Sequence, residues 1–249
     1  MSEATLRRYT SDAGRVYVNA EGQVLPSVTT VWSHGEEPKA VQAWKARNDG
    51  TDGRPDWREI LEYTRARGIM LHHQILSKYA ADGLEGGQIS QAEATIRAAG
   101  KQTRYNEEAA FVETAWTQLA SHRGITTGSV LAVESFVSNP TVGYAGQFDL
   151  MYVEEDLTLV LADIKIGRAV YEKDKVQLVA YAAASQHSPD RLEVLRVDPD
   201  QQEWEVSDSD SWAEERQLLW GKFLEARAAL GDISSLAAKI MDESTTELG

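Results

Sequence analysis

The chain reads as an α/β protein with a central, mostly antiparallel sheet, a helical N-terminal lobe and helices at its C-terminal end. Three observations predict this. Val142 to Val153 is rich in aromatic and β-branched residues, and only the polar turn Glu154-Glu155-Asp156 separates it from the apolar run Leu157 to Ala162. So short a connection makes the two an antiparallel hairpin. A buried-helix pattern from Tyr171 to His187 and a further strand, Leu192 to Val197, come after the hairpin. Ahead of all these strands, Asp56 to about Ala81 and Asn106 to Arg123 show the apolar spacing of helices.

Taken in order, residues 7–31 read as short strands with a turn at Asn19 to Gly22, running into Leu25-Pro-Ser-Val-Thr-Thr-Val-Trp32. Ser27, Thr29 or Thr30 can cap the helix or turn after Pro26. Ala40 to Arg47 is a short helix, and Asn48 to Pro55 is a loop rich in glycine and aspartate. Asp56, with Glu59 three residues on, has the pattern of a capping box. Gly68 inside the long helix costs about 1 kcal/mol against alanine, so close packing or a break is expected there. A short helix from about Ser90 to Ala99 precedes the Asn106 helix, which Gly124 ends. Strand Ser129 to Val137 carries Glu134. A second hairpin turns at Asp198-Pro-Asp200 into Glu203 to Val206. Helices from about Ser209 to Leu230 and on to Met241 precede an acidic tail. The organisation expected is one domain over 1–249, with an N-terminal hairpin and helical lobe (1–124), a core (125–207) and C-terminal helices (208–249).

Composition removes several classes of function. There is no cysteine, which excludes disulfides, thiolate catalysis, cysteine-ligated zinc and a cysteine-ligated iron–sulfur cluster. No apolar run has membrane-spanning length, and Met1 to Thr5 lacks a signal pattern, so a cytoplasmic protein with no membrane partner is expected. Net charge is −14, but it is unevenly spread. Residues 1–124 carry 15 Lys and Arg against 16 Asp and Glu, while residues 125–249 carry 10 against 23. Any grip on a polyanion is therefore expected from the N-terminal lobe.

The chemistry-bearing residues converge on the first hairpin. Asp149 and Asp163 fall on adjacent strands, within a residue or two of opposite each other. Asp163 and Lys165 are two apart and share a face, while Ile164 points the other way into a core. Gln177 and Tyr181 lie four apart on one face of the next helix. His72 and His73 point about 100° apart, so at most one faces a site. Two acids and a lysine at the end of an apolar hairpin suit phosphodiester hydrolysis. Carboxylates hold a hard divalent cation there, and an ammonium steadies the developing charge. Glu134 serves as ligand or acceptor and His72 as a nitrogen ligand.

Glu134, Gly146-x-x-Asp149, Asp163-x-Lys165 and Gln177-x-x-x-Tyr181, preceded by Gly68-x-x-x-His72, resemble the PD-(D/E)XK nuclease superfamily in its RecB-like exonuclease branch. Leu25-Pro-Ser-Val-Thr-Thr-Val with Ala43-Trp44-Lys45 is similar to the opening of the mitochondrial genome maintenance and phage-type exonucleases. The resemblance spans roughly residues 7–187. It implies an αβββαβ core and DNA cleavage with Mg²⁺ or Mn²⁺. His72, Asp149, Asp163 and the Ile164 carbonyl are then metal ligands, Lys165 is the catalytic lysine, and Gln177 and Tyr181 position that lysine and the strand. The Pro that usually precedes the first Asp is Phe148 here, as is common in the branch. The four cysteines of the cluster-bearing CRISPR adaptation nucleases are absent.

The expected activity is an exonuclease on single-stranded DNA or DNA ends. Alternatives are a cluster-free relative of the CRISPR adaptation nucleases that trims ends, a DNA-binding scaffold without turnover, and a restriction-type endonuclease. Arg7, Arg8, Ser27, Thr29, Lys45 and Arg168 are candidate DNA contacts, and Trp32, Trp44 or Trp57 candidate stacking platforms. A monomer is favoured over a ring trimer.

Overall fold

The computed structural model describes residues 6–34, 39–80 and 86–244. Met1 to Thr5, Ala81 and the tail beyond Ser244 lie outside the described residues.

Three short strands, β1 (Arg7–Ser11), β2 (Gly14–Val18) and β3 (Val24–Pro26), form an antiparallel sheet. Helices α1 (Val28–Ser33), α2 (Lys39–Arg47), α3 (Trp57–Leu76), α4 (Gly86–Ala98) and α5 (Gln102–Arg123) come next in the chain. They lead into a five-stranded sheet of β4 (Val130–Asn139), β5 (Tyr144–Val153), β6 (Leu159–Ile166), β7 (Arg191–Asp198) and β8 (Glu203–Asp208), adjacent in that order. Helix α6 (Glu172–Ala184) connects β6 to β7, which pair in parallel, and every other pair is antiparallel. The chain closes with α7 (Arg216–Leu230) and α8 (Ser234–Glu243). The described residues thus form a mixed α/β fold of two sheets, in which β6 and β7 are the parallel strands because a helix supplies their crossover.

Helices cover both faces of the large sheet. On one face Val176, Leu178 and Tyr181 of α6 and Phe223 of α7 pack on Met151, Leu161 and Val194. On the other, Leu71 and Ile75 of α3 and Trp116 and Leu119 of α5 pack on Leu150, Tyr152, Val160 and Ile164. Helix α8 lies instead on the small sheet, where Ala237 and Ile240 meet Val16. No helix among the described residues is long and apolar enough to cross a membrane.

Several local expectations change. Asp56 does cap α3, but its carboxylate accepts the Arg58 N–H (2.8 Å) rather than completing a box with Glu59. The helix stops at Leu76, where the Ser77 N–H turns back to the His73 carbonyl, so the apolar spacing up to Tyr79 continues through a turn. Helix α3 runs unbroken through Gly68, and a Cβ there would meet nothing within 4 Å, so neither a break nor close packing explains that glycine. Helices α4 and α5 each begin four residues earlier than expected. Ser209 is not helical: its hydroxyl accepts the Leu192 N–H in the turn after β8.

What positions the site is the way β5 leaves its neighbours. Its pairing with β6 runs from Val153 opposite Leu159 to Leu150 opposite Ala162 and stops there, so Asp149 and Asp163 stand just beyond the last rung. On the other side, Val133 pairs with Leu150 and Ser135 with Phe148, which sets Glu134 opposite Asp149. Phe148 and Leu150 are two apart yet lie in different cores, so β5 switches faces at Asp149. Glu134 has a left-handed backbone, φ 48°, rare for a side chain of its size. Irregularities of this kind turn side chains that a regular ladder would aim elsewhere.

Candidate active site

The end of the β5–β6 ladder gathers His72, Glu134, Asp149, Asp163, Lys165, Gln177 and Tyr181. Where the strands part, the Asp149 carboxylate takes over from the ladder and accepts the Ile164 N–H at 2.6 Å. Ile164 itself is buried among Leu71, Trp116 and Leu150. Asp163 and Lys165, on the opposite face of β6, look toward α6. Lys165 Nζ lies 2.6 Å from Asp163 Oδ2 and donates to Gln177 Oε1 (3.2 Å), and Gln177 Nε2 reaches the Tyr181 hydroxyl at 2.7 Å. One polar chain therefore runs from the buried carboxylate to the tyrosine. Gly146 makes room for its last member, since a Cβ there would stand 2.3 Å from Tyr181 Cε1.

His72 arrives from α3. Its Nε2 is 2.9 Å from Asp149 Oδ2 and its Nδ1 is 3.2 Å from Glu134 Oε1. Ligand atoms of His72, Glu134 and Asp149 all lie within 4.8 Å of one another, and Asp163 falls outside that triad. Burial alone would lower the His72 pKa, but the two carboxylates outweigh it and hold the imidazolium up to about 10. For Asp149 burial pushes upward and is overcome by His72, Lys165 and the Ile164 N–H, leaving the group below the usual carboxylate range. Burial dominates at Asp163, 1% exposed, and drives it up to about 7 although Lys165 opposes the rise. Lys165 is lowered by burial but held up to about 12 by Asp163 and Asp149, so it stays an ammonium.

Among the described residues Asp163 Oδ1 has no hydrogen-bond partner. A buried carboxylate oxygen with no donor is costly and points to a ligand. The surrounding donors are carboxylate oxygens and one imidazole, with no sulfur. That set suits Mg²⁺ or Mn²⁺, which take oxygen ligands, and the imidazole leans toward Mn²⁺.

A cleft of about 670 Å³ leads away from the triad between α3, α4 and edge strand β4. Arg8, His73, Tyr79, Leu131 and Phe136 are among its walls. Both histidines line it, contrary to the expectation of one, but only His72 reaches the acids.

The remaining candidates separate. Arg8 donates to Gln147 Oε1 (2.7 Å), whose amide nitrogen holds the Glu134 carbonyl (2.9 Å). Arg7 is exposed on β1, and Arg168 is exposed just after β6 on a turn pinned by Arg196. Ser27 is no surface contact: it is 2% exposed and caps α1 through the Thr30 N–H, while Thr29 is exposed beside it. Trp57 is no open platform, because Lys45 and Arg58 stand over its ring at 4.3 and 4.4 Å. Trp32 packs partly buried against the α6 core. Arg15 and Gln147 were not among the residues that the sequence singles out. The alternation Arg15-Val16-Tyr17 was the available signal, since it puts a cation and a phenol on one strand face.

No protein-family model matches this chain, and no curated protein matches it. Among solved structures, the crystal structure of SSO0001 aligns with a TM-score of 0.29 at 11% identity, covering 64% of this chain and 85% of that one. A likeness that slight carries no argument about function.

Proposed function

We propose that this chain is a metal-dependent deoxyribonuclease of the PD-(D/E)XK type, an exonuclease acting on single-stranded DNA or from DNA ends. One observation carries the reading. The triad of His72, Glu134 and Asp149 adjoins a buried Asp163 that is paired with an ammonium and has an oxygen to spare. His72, Glu134 and Asp149 would hold Mg²⁺ or Mn²⁺, with Asp163 beside them. Such an ion supplies positive charge that polarises a phosphodiester and acidifies water.

The side chains have distinct tasks. Lys165 stays protonated and offers its N–H groups to charge developing on the phosphate, which makes it an electrostatic stabiliser rather than a base. Asp163 and Gln177 fix the ammonium, and Tyr181 fixes Gln177. The cleft beside the triad has both polar and apolar walls, which favours a strand with unpaired bases. With so much acidity in the C-terminal half, affinity is expected to be modest and to fall with salt.

The test is degradation of end-labelled linear single strands, linear duplex and closed circles with Mg²⁺, Mn²⁺ or EDTA. Linear strands should shorten only with metal, circles should survive, and Lys165→Ala should slow the reaction by at least about 10²–10³-fold. Cut circles would move the assignment to an endonuclease. No cleavage with either metal would sink the reading.

A further inference from the structure

The Pro-Ser-Val-Thr-Thr stretch after β3 has no part in the chemistry above, yet it is built around one residue. The Thr30 hydroxyl accepts the Arg15 N–H (2.8 Å) and donates to the Arg15 carbonyl (2.9 Å). The Ser27 N–H donates to the same carbonyl (3.0 Å), and the Ser27 hydroxyl donates to Thr30 Oγ1 (2.9 Å). Gly14, just before, has φ 141°, and a Cβ there would stand 2.9 Å from the Thr30 hydroxyl. The backbone of Arg15 is therefore held on both sides.

Register fixes where its side chain goes. Arg8 pairs with Tyr17 and Thr10 with Arg15, so these four share one face of the β1–β2 hairpin. The other face is accounted for, because Tyr9 and Val16 pack on α8. The inner face looks onto the large sheet: Tyr17 packs with Ala145 and meets the edge of Phe136, and Arg8 holds Gln147. On that face Thr10 Oγ1, Arg15 Nε and the Tyr17 hydroxyl are all buried without a hydrogen-bond partner among the described residues. Arg15 makes no ion pair among them either. Burial opposes its charge, but the neighbouring Tyr17 and then Tyr181 and Glu134, both members of the site, outweigh it. A half-buried guanidinium whose Nε is unused and whose one near partner is the neutral Tyr17 hydroxyl is expensive unless an anion completes it.

We propose that Arg15, pinned by Ser27 and Thr30, is a phosphate-binding residue of the site, its guanidinium gripping a non-bridging phosphodiester oxygen of the DNA strand from the hairpin side. This rests on the nuclease reading. Arginine suits the task because its planar fork offers paired donors to a phosphate.

The test uses fluorescence anisotropy of a labelled thymidine oligonucleotide with the full chain carrying Lys165→Ala, so that binding is read without turnover. Adding Arg15→Gln should weaken binding about tenfold to a hundredfold. It should also reduce the slope of log affinity against log salt by about 0.7, the share of one phosphate contact on a single strand. Arg15→Lys should restore the slope and only part of the affinity. Thr30→Val, which frees the Arg15 backbone, should weaken binding with the slope retained. Should Arg15→Gln fail to fold, Arg15→Lys carries the test, because it keeps the charge and loses the fork. Unchanged affinity and slope in a folded Arg15→Gln protein, with only its melting point lowered, would overturn the proposal while leaving the nuclease reading intact. Absence of both oligonucleotide binding here and cleavage by the wild type would overturn both.

Discussion

Two buried carboxylates in the large sheet make a natural control for each other. Glu193 on β7 is fully buried on the α5 face, and Asp163 on β6 is 1% exposed on the α6 face. Glu193 is saturated: Arg191 Nε donates to one oxygen (2.9 Å), the Tyr152 hydroxyl (2.6 Å) and Arg123 Nε (3.2 Å) to the other. Arg123 and Arg191 also pair with Glu154, tying α5 to the sheet. Among the described residues Asp163 has one lysine, which it shares with Gln177, and an Oδ1 with no hydrogen-bond partner. The two carboxylates differ in how much of their hydrogen-bonding capacity the described residues fill. Glu108 and Asp198 also keep one unpartnered oxygen each, so it is the company of His72, Glu134, Asp149 and Lys165 that sets Asp163 apart.

Mutation should split the pair. Glu193→Gln removes the more buried of the two acids shared by Arg123 and Arg191, leaving only Glu154, and is expected to cost about 3–5 kcal/mol, with activity per folded molecule unchanged. Asp163→Asn removes an oxygen without a donor but also one of the two acids that hold the Lys165 ammonium, so in EDTA it should cost less stability than Glu193→Gln while cleavage is lost. Urea unfolding and a nuclease assay on the same preparations check both. If Asp163→Asn unfolded the protein as readily as Glu193→Gln, the contrast would be false.

Gly146→Ala should come next in size. Its Cβ would push on the Tyr181 ring, an overpacking cost of about 1–3 kcal/mol, and the shift would loosen Gln177 and so Lys165. The expected signature is a lower kcat at near-constant KM. A fall in melting point alone would mean that the Tyr181–Gln177–Lys165 chain does not position the ammonium.

Much of this site was legible because its geometry is local. A two-residue strand period puts Asp163 with Lys165, and a four-residue helix period puts Gln177 with Tyr181, so both pairs come from spacing alone. The parting of β5 and β6 at Asp149 was not legible, and neither was the left-handed Glu134 opposite it, since neither leaves a periodic pattern in the sequence. Arg15 was hidden for a similar reason: its role depends on how a three-stranded sheet docks on β5, a long-range fact. Trp57 misled because its ring is covered by Lys45, twelve positions earlier in the chain. Local period located the acids and the lysine, and tertiary packing decided which aromatic and basic side chains remain available to a ligand.

The comparison can be sharpened further by pH. In metal-free protein the His72 clamp has a folded pKa of about 10 against an ordinary value of 6.5. Its contribution to stability is then fully present below about pH 6.5 and lost as pH rises through 10. The stability gap between wild type and His72→Ala in EDTA should therefore shrink steadily over that range. A gap that widened with pH would show the imidazole to be neutral between its carboxylates.

The most direct measurement is calorimetric titration of the wild type, Asp149→Asn and Glu193→Gln with Mn²⁺, paired with melting curves. Saturable binding that raises the melting point of the wild type, survives in Glu193→Gln and vanishes in Asp149→Asn is the predicted result. Binding unaffected by Asp149→Asn, or none by the wild type, would contradict the claim that the acids at the parted strands are a metal site.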